Sequence, residues 1–142
     1  MKNFIDLMNE SYKILAERNK EVIALSLNMD FPALQNALPI VCADGYQVSI
    51  QAGWANYCSP RRNFDILEKG DEKIILVDYD IYDSFELGFP SHGDQLIAEY
   101  AEEPEDLTGT VYSNVPKALI YQLMELHGGA VGFYSPEQKR LK

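Results

Sequence analysis

The residues best suited to chemistry are gathered in one stretch of the chain. In YQVSIQAGWANYCSPRRN (residues 46–63), Trp54, Tyr57, Cys58, Arg61 and Arg62 fall within nine positions. Arg61 and Arg62 are the only adjacent cations upstream of the C-terminal tail. Rings that stack beside guanidinium groups suit a ligand that carries both bases and phosphates. The competing account makes the aromatics core residues and the arginines solvated or salt-bridged.

Other chemistries are weighed against this one. Positive charge lowers a thiol pKa, so Cys58 beside the two arginines is a candidate nucleophile. A Cys–His hydrolase would need His92 or His127 as its base, and neither stands in a recognisable sequence relation to Cys58. His127 is accounted for as a cation near a helix C-terminus. The two His and two Cys show no pair at metal-ligand spacing, so no metal is expected. Asp78, Asp80 and Asp83 lack the rest of a calcium loop. Gly128-Gly129 follows a helix, whereas a phosphate cradle would precede one. Glu86, in an otherwise apolar strand, reads as a partner for an arginine before it reads as an acid–base group. No cofactor is expected.

Charge narrows the partners. The net charge is −10, and it is unevenly distributed. Residues 1–63 hold six acids and six bases, residues 64–106 hold fourteen acids against Lys69 and Lys73, and residues 107–142 hold two acids and four bases. The middle block would repel a nucleic-acid backbone, so duplex binding is not expected. The block serves either solubility or an acidic face presented to a protein partner. No apolar run reaches the length of a membrane span. The N-terminal MKNFIDLMNE lacks a continuous apolar signal core. With two cysteines that do not make a disulfide framework, the expectation is a cytoplasmic protein with reduced thiols.

The elements that must position the central stretch follow from periodicity. The 142 residues suffice for one domain with its own core. Ile5, Met8, Tyr12 and Leu15 predict an amphipathic helix over 3–19, with a second over 21–27 stopped at 30–32 by Pro32 and one further turn over 34–38. This N-terminal third, residues 1–38, reads as a helical extension, either a lid or docking element on the β core or a dimerisation helix. Strands are predicted over 39–43 and 46–52, joined at Asp44-Gly45. Residues 64–67 are either a brief edge strand or loop. Residues 73–79 (KIILVDY) read as a buried strand and 82–89 as the next. Residues 94–101 read as a short helix and 110–114 as a strand. Pro116 is expected at the first position of a helix whose stripe is Leu119, Ile120, Leu123 and Leu126, with Gly128-Gly129 as its stop. A last strand over 130–134 precedes a polar tail, 135–142. The fold class is α+β, with a small antiparallel sheet, an N-terminal helical segment and a C-terminal helix packed on it.

Taken together, SIQA (49–52), NYCSPR (56–61), FELGFPS (85–91), TVYSNVP (110–116) and the helix ending LHGG (126–129) resemble a widespread family of small phage proteins. That family is the first Thoeris anti-defence family, and the resemblance covers roughly residues 39–133. Its members sequester cyclic ADP-ribose signals made by bacterial TIR-domain enzymes, release the ligand intact, and form dimers or higher oligomers. Some also bind cyclic oligonucleotides at a second site. The resemblance therefore implies a cyclic nucleotide partner, a homo-oligomer, no catalytic residue, and a place in the cytoplasm of the host bacterial cell. By residue type, Arg61 or Arg62 would hold a pyrophosphate. Trp54, Tyr57 or Phe89 would stack on an adenine. Asn114, within TVYSNVP, completes the candidate set. The alternatives are an acidic inhibitor of a host defence protein and a small cysteine hydrolase.

Overall fold

The computed structural model describes residues 2–27, 35–135 and 140–141. The Asn3 side chain accepts the Ile5 N–H at 2.8 Å and caps α1 (Phe4–Arg18). Phe4, Ile5, Leu7, Met8 and Tyr12 form its buried stripe. α1 is thus a wall of the main core and not a lid laid over it. α2 (Lys20–Leu27) follows at once.

The expected stop at 30–32 lies outside the described residues. Residues 35–39 carry no regular structure, so the extra helical turn is missing from its described part. Side-chain hydrogen bonds explain this. The buried Gln35 amide donates to the Ala52 carbonyl at 2.7 Å and to the Tyr82 hydroxyl at 2.9 Å, and it accepts the Phe64 N–H at 3.0 Å. Gln51 clamps both backbone groups of Ala37, at 2.9 and 2.7 Å. These bonds hold the segment extended along the sheet.

β1 (Ile40–Cys42) and β2 (Gln47–Gln51) form the expected hairpin, with Gly45 in its turn at φ +93°. β3 (Ile66–Lys69) and β4 (Glu72–Ile75), turning at Gly70-Asp71, pair only with each other among the described residues. This corrects the buried strand expected over 73–79. Ile66, Leu67, Ile74 and Leu76 are exposed on this ribbon, and only Tyr79, in a short 3-10 turn (Tyr79–Ile81), is fully buried. An apolar run does not say which partner will cover it.

β5 (Ser84–Gly88), β6 (Val111–Pro116), β7 (Ala130–Ser135) and β8 (Arg140–Leu141) complete a six-stranded sheet in the order β6-β5-β2-β1-β7-β8, antiparallel throughout. The tail expected to be loose over 135–142 therefore returns at least at Arg140–Leu141 to pair with β7.

The short helix expected over 94–101 is a 3-10 segment, Gln95–Tyr100. α3 (Lys117–Leu126) starts one residue after Pro116, which ends β6 at φ −60°. Its buried residues are Ile120, Leu123 and Met124. Leu126, expected in the stripe, is exposed. Met124 replaces it, packed on the Cys42 thiol at 3.6 Å. Past the helix, Gly128 and Gly129 take φ +86° and +94°, and their N–H groups close on Glu125 and Met124 at 3.0 and 2.8 Å. The stop is the expected one.

Rings bind the layers together. Tyr12, Phe64, Tyr79, Tyr82, Phe85 and Phe4 run from α1 to β5 and back with centroids 4.9 to 6.3 Å apart, edge to face except for the tilted Phe64–Tyr82 pair. Each such pair adds about 0.5–1.5 kcal/mol beyond the area it buries.

Candidate binding surface and a buried histidine cluster

The loop after β2 is tied down from within. The Trp54 N–H donates to Asn63 Oδ1 at 2.9 Å, and the Cys58 sulfur takes the Gly53 N–H and returns its own proton to the Gly53 carbonyl, both at 3.3 Å. Ser59 is anchored to the start of β5, accepting the Asp83 N–H at 2.7 Å. On this frame Arg61 lies between two rings. Its guanidinium carbon is 5.4 Å from the Trp54 centroid and 5.5 Å from the Tyr57 centroid, and its Nε donates to the Trp54 carbonyl at 2.9 Å. Both rings are about half exposed, 56% for Trp54 and 48% for Tyr57. The Nε hydrogen bond and the two ring contacts restrain the guanidinium, which lowers the cost of ordering it around an anion.

Arg62 behaves differently. It forms an ion pair with Asp65 and donates to the Asn63 carbonyl at 3.2 Å. Of the two adjacent cations, Arg61 alone is stacked on the rings.

Asn114 joins Arg61 and its rings from β6. The β5–β6 register shifts between Phe85 and Leu87, so Ser113 and Asn114 bulge opposite Glu86. Asn114 has φ +54°, a left-handed conformation that asparagine tolerates better than most residues. Its N–H donates to the Tyr57 carbonyl at 3.0 Å, and its Oδ1 accepts the Ser84 hydroxyl at 3.1 Å. The half-buried Glu86 adds a carboxylate. Burial raises its pKa, against the lowering effects of the Tyr57 N–H and the Arg61 charge.

Phe89 does not belong to this group. It is 64% exposed at φ +48°, just beyond the far end of β5. Gln51, which leads into the arginine loop, pairs with Glu86, whereas Phe89 lies three residues further along. At about 3.3 Å per residue that is roughly 10 Å up the sheet, toward the opposite end.

The cysteines are not poised for attack. Burial raises the Cys58 pKa, outweighing the Gly53 N–H and the Arg61 charge. Cys42 is pushed up to about 11, by burial and then by Asp44. We expect neither thiol to react appreciably with iodoacetamide in native protein near pH 8, and both to react once it is unfolded. Fast, selective labelling of native Cys58 would restore it as a nucleophile.

A second group of polar side chains gathers at the other end of β2. Here the β1–β2 turn, the loop before the 3-10 segment and the end of α3 meet. His127, only 7% exposed, faces a carboxylate on each side: Nδ1 is 2.6 Å from Asp44 Oδ2 and Nε2 is 2.8 Å from Asp94 Oδ2. Its ring lies flat on Tyr46, with centroids 3.8 Å apart and planes 3° from parallel. Burial alone would lower the His127 pKa, but the hydrogen bonds and charges of Asp94 and Asp44 raise it. The hydrogen bond to His127, followed by the Tyr46 N–H, lowers the Asp44 pKa. His92 Nδ1 approaches Asp94 Oδ1 at 3.2 Å. The loop carrying His92 is pinned to β2, since the Ser91 hydroxyl accepts the Gln47 N–H at 2.8 Å and the Ser91 N–H donates to the Gln47 carbonyl at 2.9 Å. A cleft of about 490 Å³ opens beside the cluster, lined in part by Gly45, Ser91 and Leu126.

The sequence reading missed this cluster and took His127 as a helix-end cation. The available signal was three turns that each carry a titratable residue: Asp44-Gly45, His92-Gly93-Asp94 and His127-Gly128. Nothing in their spacing says that they meet.

Neither a family model, nor a curated protein, nor a solved structure matches the chain.

Proposed function

We propose that the protein binds a cyclic ADP-ribose-type signalling nucleotide and releases it unaltered, acting as a phage-encoded anti-defence sponge in the host cytoplasm. The observation that carries this reading is the Arg61 guanidinium held between two half-exposed rings. In this reading Arg61 takes the pyrophosphate, Trp54 or Tyr57 stacks on the base, and Asn114 and Glu86 offer polar contacts to the ribose hydroxyls. Arg62, engaged by Asp65, contributes mainly positive potential. A cyclic oligonucleotide is a further candidate ligand. The assembly is a homo-oligomer. Among the described residues no helix is long and apolar enough to cross a membrane. The test is to incubate the protein with cyclic ADP-ribose isomers, remove free ligand, denature, and analyse what is released. Intact retained nucleotide supports the sponge, cleaved nucleotide in either the retained or the removed fraction replaces it with an enzyme, and nucleotide neither retained nor cleaved removes both.

The β3–β4 ribbon favours a second reading, inhibition of a basic-surfaced host defence protein. Exposed Ile66, Leu67, Ile74 and Leu76 lie there among Asp65, Glu68, Asp71 and Glu72. Such a complex would weaken steeply with salt. Low-salt pull-downs from host lysate that return nothing would remove this reading.

A further inference from the structure

We propose that His92, Asp94 and His127 form a zinc-binding site with one coordination position open to the adjoining cleft. One ligand atom from each of the three residues lies within 4.8 Å of the others. Two imidazoles and one carboxylate are a donor set suited to zinc, and three protein ligands leave a fourth position for water or an anion.

The ligand atoms lie within 4.8 Å of one another and must draw together about the metal. Zinc takes nitrogen at about 2.0–2.1 Å and carboxylate oxygen at about 2.0–2.2 Å, so tetrahedral neighbours stand roughly 3.3–3.5 Å apart. His127 Nε2 and Asp94 Oδ2 are 2.8 Å apart, and His92 Nδ1 and Asp94 Oδ1 are 3.2 Å apart. The Asp94–His127 pair must open by about half an ångström, and the Asp94 carboxylate, which now meets His127 through Oδ2 and His92 through Oδ1, must turn aside to let the metal in. His92, with a side chain 67% exposed, can swing to close the site. The cation then takes the place of the protons now shared with Asp94.

The surroundings are those that orient a metal ligand. A zinc-bound imidazole commonly donates its other N–H to a carboxylate, which fixes the tautomer and the ring plane. Asp44 stands in that position at His127 Nδ1, 2.6 Å away. Asp44 is itself fixed, since its Oδ1 accepts the Tyr46 N–H at 2.9 Å. The Tyr46 ring stacked on His127 opposes its turning out of plane about the Cβ–Cγ bond. His127 is thus oriented from two directions with Nε2 aimed at Asp94. The cleft beside the three ligands gives the open position access to solvent.

The site lies at the opposite end of β2 from Arg61, so it stands or falls independently of the proposed nucleotide surface. The test uses the full chain, treated with chelator, exchanged into chelator-free buffer, and titrated with zinc chloride in a calorimeter. Saturable binding of one zinc per chain is expected, with a raised melting temperature. His92→Ala should weaken zinc binding by about tenfold or more, since even an outer partner of a metal ligand is worth about 10–100-fold. It should leave the melting of the metal-free protein unchanged, because the ring it removes is exposed. Magnesium, a hard cation that prefers oxygen, should not compete. His127→Ala also strands the buried Asp94 and so changes stability with or without metal, which makes His92→Ala the decisive variant. No saturable zinc binding, or zinc binding unaltered by His92→Ala, would overturn the proposal.

Discussion

Replacing Arg61 with Ala should weaken binding of a cyclic ADP-ribose-type ligand by about ten- to a hundred-fold or more, with the fold intact. A hydrogen bond to a charged group is worth roughly 1.5–3 kcal/mol, and each 1.4 kcal/mol or so is a factor of ten in affinity. The pre-held guanidinium adds to this, because the rings have already fixed the plane that the phosphates meet. Stability should fall by no more than about 1–2 kcal/mol over the two ring contacts, which leaves the protein folded. The side chain is exposed, and each exposed cation–π contact is worth roughly 0.5–1 kcal/mol. Arg61→Lys should restore only part of the affinity, since an ammonium does not reproduce the planar fork. Arg62→Ala should have a smaller effect, because Arg62 is engaged by Asp65. Equal losses from the two arginines, or none from either, would contradict this assignment. Calorimetry and melting should be measured on the same preparations, because a loss of stability alone would mean that Arg61 is packing.

His127→Ala should lower the melting temperature by on the order of 10 °C. Asp94 is only 7% exposed, and the mutation removes the imidazole that faces it at 2.8 Å. Stranding a buried carboxylate by removing its partner costs roughly 3–5 kcal/mol, because the charge is left buried and uncompensated. The low end applies here, since the cleft admits water and His92 offers Asp94 a second contact at 3.2 Å. For a chain of this length each kcal/mol shifts the midpoint by about 3–5 °C. The control is the double variant His127→Gln, Asp94→Asn, which restores a neutral hydrogen-bonding pair. It should melt well above His127→Ala, since neutralising both partners removes the stranded charge. A His127→Ala protein melting within about 2 °C of the parent would mean that the cluster contributes little to the fold.

What was legible in the sequence was local. The helix beginning near Asn3, the Asp44-Gly45 turn and the Gly128-Gly129 stop each follow from the preferences of neighbouring residues, and each is found where expected. The α+β class follows from the same periodicities. What was hidden depends on partners distant in the chain. KIILVDY reads as core, yet among the described residues β4 pairs with β3 alone, outside the six-stranded sheet, and Ile74 and Leu76 are exposed. The candidate site was half visible for the same reason. Trp54, Tyr57 and Arg61 share one loop, so their contact is a local matter. Phe89 was placed with them by residue type, but the antiparallel register carries it to the other end of β5. Asn114 sits beside Tyr57 only because β6 bulges there. His127 and Asp94 are 33 residues apart, and only the crossing of three turns brings them together.

The most direct test of the nucleotide surface is the fluorescence of Trp54, the only tryptophan in the chain and 56% exposed. Its emission, excited away from adenine absorption, reports on the ring that flanks Arg61. Titration with cyclic ADP-ribose isomers should give a saturable change in intensity or wavelength for at least one isomer, and that change should be lost in Arg61→Ala. Emission that stays flat to millimolar ligand, or a response that persists unchanged in Arg61→Ala, would contradict binding at this surface.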